Sequence, residues 1–136
     1  MNESFTVVFV CEHGAAKSVI AAAFFNQLAK QKGLNLQAIP RGTHPDEALS
    51  ANTIKGLAED GVILPVSAPE KLLSADLKTG KMVVSFCSLS DEEVDLANKV
   101  EYWDGVPPVS ENYQAARDAI LNHMNGLLKR LADHDE

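Results

Sequence analysis

The chain is 136 residues long, 46% hydrophobic and 23% charged, with a formal net charge of −7. A chain of that length buries roughly 65–70% of its unfolded surface, so residues 1–136 are expected to form one domain whose core needs no staples. The acidic balance argues against a nucleic-acid or anionic-membrane partner, so any anion site must be local, made from backbone amides and one or two cations.

No segment approaches the ~20 apolar residues needed to span a bilayer. Met1 to Ser4 carries no basic leader of the secretory kind. Two cysteines are too few for a disulfide scaffold. The expected compartment is cytoplasmic, with both thiols reduced.

In chain order, Phe5 to Val10 is a short apolar, β-branched run and reads as a buried parallel strand. It breaks at Cys11-Glu12-His13-Gly14 and gives way to a helix over about 17–32, where Ile20, Ala23, Phe24, Leu28 and Ala29 recur at helical spacing before Gly33. Leu36 to Ile39 is a weaker strand, ended by Pro40. Residues 41–49 read as a polar loop, and Ser50 as the N-cap of a helix to about Glu59, with Gly61 beyond it. Residues 62–80 hold a short extended piece and a helix around 70–77. Lys81 to Phe86 is a second buried strand with Cys87 at its C-terminal end, and a short strand is expected over 99–103.

The loop 104–108 then leads to the last helix. Ser110 or Asn112 is its cap, and Ala116, Ile120, Met124, Leu127 and Leu131 are its buried face. The tail 133–136 is expected to fray.

Strands alternating with helices predict a small open α/β fold, a mostly parallel four-stranded sheet with helices on both faces. Ligands bind such sheets outside the carboxyl ends of the strands. Cys11, Cys87 and the Trp103-Asp104 segment all follow predicted strands, so all three should open onto one edge.

The segment from Cys11 to Ser18 is a strand end, a turn of small residues and a helix start. Its successive N–H groups can point inward, reinforced by the positive end of the helix dipole. Gly14, Ala15 and Ala16 leave that concavity open, Lys17 adds a formal positive charge, and Ser18 offers a hydroxyl to the sulfur. A cysteine so placed is expected as thiolate. Taken singly, Cys11 also reads as a small buried residue and Lys17 as a solvated one.

Jointly, cysteine, five residues, a cation and a hydroxyl between strand and helix resemble the signature loop of the low-molecular-weight protein tyrosine phosphatases and of the arsenate reductases that share their fold. Gly42 to Pro45 with the helix that Ser50 opens, Val83 to Cys87, and Tyr102 to Pro108 ahead of a long helix resemble the family's later units. The resemblance implies a phosphatase for phosphomonoesters, including phosphotyrosine in proteins. Cys11 would be its nucleophile, Ser18 the hydroxyl that steadies the thiolate, and residues Glu12, His13, Gly14, Ala15, Ala16 and Lys17 its oxyanion cradle. The partner would be a phosphorylated small molecule or protein. The alternatives are arsenate reduction, with arsenate and an external thiol reductant as partners, and a non-catalytic oxyanion-binding module.

Two departures stand out. The family's cation is arginine, a planar fork for two oxygens, whereas lysine is a hydrated point charge. The family's acid is an aspartate directly before proline, whereas here the nearest carboxylate is Asp104, which equally reads as the start of an Asp-Gly turn. Glu101 and Glu111 are weaker stand-ins. Cys87 reads either as a buried strand-end residue or as a redox partner of Cys11; no third cysteine completes a relay. His13 reads as an exposed turn residue or a ligand-facing one, and His44 as a turn cap. Tyr102 and Trp103 are candidates to wall the entrance, and Tyr113 for packing. His13, His44, His123 and His134 are scattered, so neither metal nor cofactor is expected.

Overall fold

The computed structural model describes residues 5–133. Four strands, β1 (Phe5–Cys11), β2 (Leu36–Gly42), β3 (Met82–Ser85) and β4 (Val100–Tyr102), form one sheet in the order β2-β1-β3-β4, with every pair parallel. Five helices join and cover them: α1 (Lys17–Gln31), α2 (Ala51–Glu59), α3 (Ser74–Thr79), α4 (Asp91–Leu96) and α5 (Tyr113–Ala132). The expected α/β sheet is thus present, and the alternation along β1 explains its layers. Val7 and Phe9 face the main core with α1 and α5, while Val8 and Val10 face a smaller cluster with Leu72, Leu77 and Val83. Buried on both sides, β1 needs its apolar run.

The chosen end signals act as local chemistry requires. Ser50 Oγ accepts from Thr53 N, and Asn112 rather than Ser110 caps α5, its side chain accepting from Ala115 N. The face expected of α5 is the buried one.

Three expectations need correction. Pro40 does not end β2; the strand runs through it to Gly42, because β2 is an edge strand and proline there forfeits no ladder donor. Arg41 and Gly42 therefore belong to the strand rather than to a loop. The helix sought around 70–77 is the short α3, and Lys71 instead bridges to Gly42. Helix α4 is not among the expected elements; none of its residues is fully buried, Leu96 packs partly against the smaller cluster, and a capping box between Ser90 and Glu93 fixes its start. Residues 134–136 of the tail expected to fray lie outside the described residues.

The outer side of β2 is engaged at Ala38 and Gly42. Asn26, on α1, takes both backbone groups of Ala38, at 2.7 and 3.1 Å. Gly42 N donates to Glu70 O, and Gly42 O accepts from Leu72 N, each at 2.9 Å. No described helix is long and apolar enough to cross a membrane.

Candidate active site

Cys11 is the last residue of β1, and α1 begins at Lys17. The turn between them passes through Gly14 at φ +62°, a left-handed conformation that glycine adopts without strain. Ser18, in the first turn of α1, is fully buried, and its Oγ lies 3.0 Å from Cys11 Sγ. No side chain caps α1 at Ala16, and no acidic residue occupies its first turn. The positive end of a 15-residue helix is therefore left to whatever sits beside the sulfur.

The turn is held from outside by its carbonyls. Cys11 O accepts from Thr43 N at 3.2 Å, Glu12 O from His44 N at 2.7 Å, His13 O from Asp46 N at 3.0 Å and Ala15 O from Ser50 N at 3.0 Å. The segment between β2 and α2 thus takes the oxygen side of the turn. The amides of residues 12–16 donate no hydrogen bond to any group among the described residues. A turn whose carbonyls are tied outward and whose amides are unspent is an anion nest.

A cavity of about 360 Å³ opens over this turn. Of the residues expected at the site, Cys11, Glu12, His13, Ala15, Ala16, Lys17 and Cys87 line it. Gly14 and Ser18 lie behind the lining, as backbone hinge and sulfur partner. Lys17 makes no ion pair among the described residues, so its charge is uncommitted. Both cysteines are free thiols. Burial pushes the Cys87 thiol up; contact with the Ser85 hydroxyl opposes that, and the neighbouring Cys11 and Glu12 add to it.

Asp104 is not brought to the cavity. It is exposed and precedes Gly105, which takes a left-handed φ of +79°. From this loop the cavity receives Val109 and Ser110 instead. Glu101 is spent elsewhere, receiving Arg130 at 2.9 Å and the Trp103 indole at 2.7 Å; Glu111 is also outside the lining. Trp103 does not wall the entrance. It is 2% exposed, stacked on His123 with ring centroids 5.0 Å apart, and the exposed Tyr102 is not part of the cavity lining. The aromatic wall is Phe86, which the sequence offered no signal for. Tyr113 packs over Gly56 and donates to Asp60 at 2.8 Å.

Asp46 and Ser50 were also missed as lining residues. Asp46 Oδ1 stands 3.1 Å from His13 Nδ1, and Glu12 Oε1 is 3.9 Å from the other ring nitrogen. Among the described residues no three His, Cys, Asp or Glu side chains gather as metal ligands would.

The model of the family described as low molecular weight phosphotyrosine protein phosphatase matches residues 6–135. The chain belongs to that family. Solved structures of similar fold extend over nearly the whole chain. YfkJ from Bacillus subtilis is 17% identical, with 99% of each chain covered and a TM-score of 0.84. A low molecular weight phosphotyrosine phosphatase from Vibrio cholerae is 17% identical, covering 98% of this chain and 100% of that one, at a TM-score of 0.84. An arsenate reductase from Archaeoglobus fulgidus is 24% identical over 92% and 97% of the two chains, at 0.68. The sequence matches no protein of curated function. The family match makes this chain phosphatase-like, and the structural likenesses, all under 25% identical, extend to the fold.

Proposed function

We propose that the protein is a cysteine-dependent phosphatase that hydrolyses phosphomonoesters, phosphotyrosine in proteins among them, through a cysteinyl-phosphate. We place it in the cytoplasm, where its thiols stay reduced. One observation carries this reading: Cys11 Sγ lies 3.0 Å from the Ser18 hydroxyl and shares a cavity with a turn whose amides donate to nothing else among the described residues. Ser18 donates to the thiolate and keeps the sulfur aimed into the cavity. The amides of residues 12–17 and the Lys17 ammonium receive the three equatorial oxygens, whose charge grows as the ester bond lengthens. Phe86 offers an apolar wall to an aryl leaving group. With lysine in place of arginine, one bidentate grip is lost, and losing one such donor commonly costs about 3–4 kcal/mol of transition-state stabilisation.

A second reading is favoured by Cys87, which shares the cavity with Cys11. Arsenate would occupy the same nest and be reduced through Cys11 and an external thiol.

The test is turnover of an aryl phosphate by the wild-type chain and by Cys11→Ser. Activity that vanishes in the variant supports the phosphatase. Arsenate-dependent thiol consumption without ester turnover supports the reductase. Phosphate that slows alkylation of Cys11, with neither activity, makes the site a binding module.

A further inference from the structure

We infer that His13, held by Asp46, is the general acid that gives the leaving oxygen its proton. This rests on the phosphatase reading of the cavity. An ester oxygen expelled from phosphorus needs a proton unless it is already a stable anion, and a group in the cavity must supply it. The loop ahead of α5 sends only Val109 and Ser110 to the lining, neither of them an acid. The titratable groups that do line the cavity are Cys11, Glu12, His13, Lys17, Asp46 and Cys87. Cys11 is committed to attack and Lys17 to the equatorial oxygens, and Cys87 is a thiol kept neutral by burial.

What remains is His13 between two carboxylates, and the two are not equivalent. Asp46 Oδ1 lies 3.1 Å from Nδ1, within hydrogen-bond reach, whereas Glu12 Oε1 lies 3.9 Å from Nε2, beyond it. A carboxylate on one ring nitrogen fixes the orientation in which the imidazole presents the other. Asp46 is anchored for this: its own amide donates to His13 O at 3.0 Å, so backbone and side chain grip the same residue. Nε2 has only the looser 3.9 Å approach to Glu12, and His13 and Cys11 line the same cavity.

The step balances. The Cys11 sulfur forms a bond to phosphorus as the ester P–O bond breaks, and the electron pair of that bond leaves on oxygen. That oxygen takes the Nε2 proton of the imidazolium, while Nδ1–H stays on Asp46. The neutral imidazole then accepts a proton from water as the water oxygen bonds to phosphorus and the S–P bond breaks. Inorganic phosphate, the thiolate and the imidazolium are restored. Asp46 is a positioning residue in this scheme and His13 a catalytic one.

The experiment compares the full-length wild type, His13→Asn, His13→Gln and Asp46→Asn on phenyl phosphate and 2,4-dinitrophenyl phosphate. The first leaving group needs a proton and the second does not. Loss of a general acid typically costs on the order of 100-fold or more. The His13 variants should lose about that much kcat on phenyl phosphate but less than about fivefold on the dinitrophenyl ester. Asp46→Asn should show the same leaving-group selectivity, smaller in size, with KM held. Equal losses on both esters, or none, overturn the assignment while leaving the phosphatase reading intact. Absence of turnover by the wild type on either ester overturns both. Protection of Cys11 from alkylation by phosphate in each variant establishes that the nest still forms.

Discussion

Gly42 and Gly14 touch through their backbones. A Cβ placed on Gly42 would lie 2.7 Å from Gly14 N and 2.9 Å from both Gly14 Cα and the His13 carbonyl carbon. Real side chains do not approach main chain that closely, so the end of β2 has to be bare for the anion turn to sit against it. Gly42 does not require a left-handed backbone; it is the missing side chain that matters.

Gly42→Ala is therefore expected to push the turn away from the segment that holds its carbonyls. Such overpacking costs about 1–3 kcal/mol. Half-maximal protection of Cys11 against alkylation should need about fivefold to a hundredfold more phosphate, since 1.4 kcal/mol is a factor of ten. Unchanged protection would show that the turn keeps its shape without this contact.

Lys17→Arg tests the charge in the cradle. Arginine restores two parallel hydrogen bonds to the equatorial oxygens, so kcat on an aryl phosphate should rise by roughly tenfold or more. A fall would mean that the cavity is shaped around the ammonium and that the lysine is selected for its reaction.

Asp104→Asn should leave kcat within about twofold, because the carboxylate is outside the cavity lining; general-acid loss would cost on the order of 100-fold. A large drop on phenyl phosphate, absent on the dinitrophenyl ester, would return the acid to Asp104.

Thr53 presents a different chemistry. Its side chain is fully buried in α2 and its hydroxyl has no hydrogen-bond partner among the described residues. Thr53→Val keeps the shape and removes the orphaned hydroxyl, so stability should rise by about 1 kcal/mol. Urea unfolding of both proteins at neutral pH measures it, and a lower midpoint for the variant would show that the hydroxyl is satisfied.

Acid stability should depend on Glu101. The hydrogen bond from Arg130 holds its carboxyl below the ordinary range, against the opposing pull of burial, and the Trp103 indole adds to the lowering. A carboxylate whose folded value is depressed contributes stability above the unfolded value, about 4.3, and loses it as pH falls through the folded one. Glu101→Gln should therefore unfold at lower urea than wild type at pH 7. The gap should close as the pH drops below about 4. A constant gap would assign the loss to packing alone.

Much of this arrangement is readable along the chain, where a local pattern fixes a local structure. The apolar run of β1, the small residues after Cys11 and the α5 face from Ala116 to Leu131 each carry their own periodicity or size constraint. Ser50 and Asn112 carry hydrogen-bond chemistry that acts within three residues. What the sequence hides is set by distant packing. Asp46 lines the cavity with its amide tied to His13 O across the turn, and Phe86 lines it while packing edge-on against Trp103, which stacks on His123. Helix α4 has no apolar stripe to announce it, only the Ser90 and Glu93 exchange at its start. The Asp-Gly pair at 104–105 satisfied two readings at once, and only the path of the loop decides between them.

The outward side of β2 has a bearing on behaviour in concentrated solution. Asn26 occupies Ala38, Pro40 has no N–H to give, and residues 70–72 seal Gly42. An extended peptide approaching that border finds no consecutive donors and acceptors to zip against, so this flank does not template cross-chain pairing. The strand that braces the anion turn is thereby also protected from recruitment into aggregates.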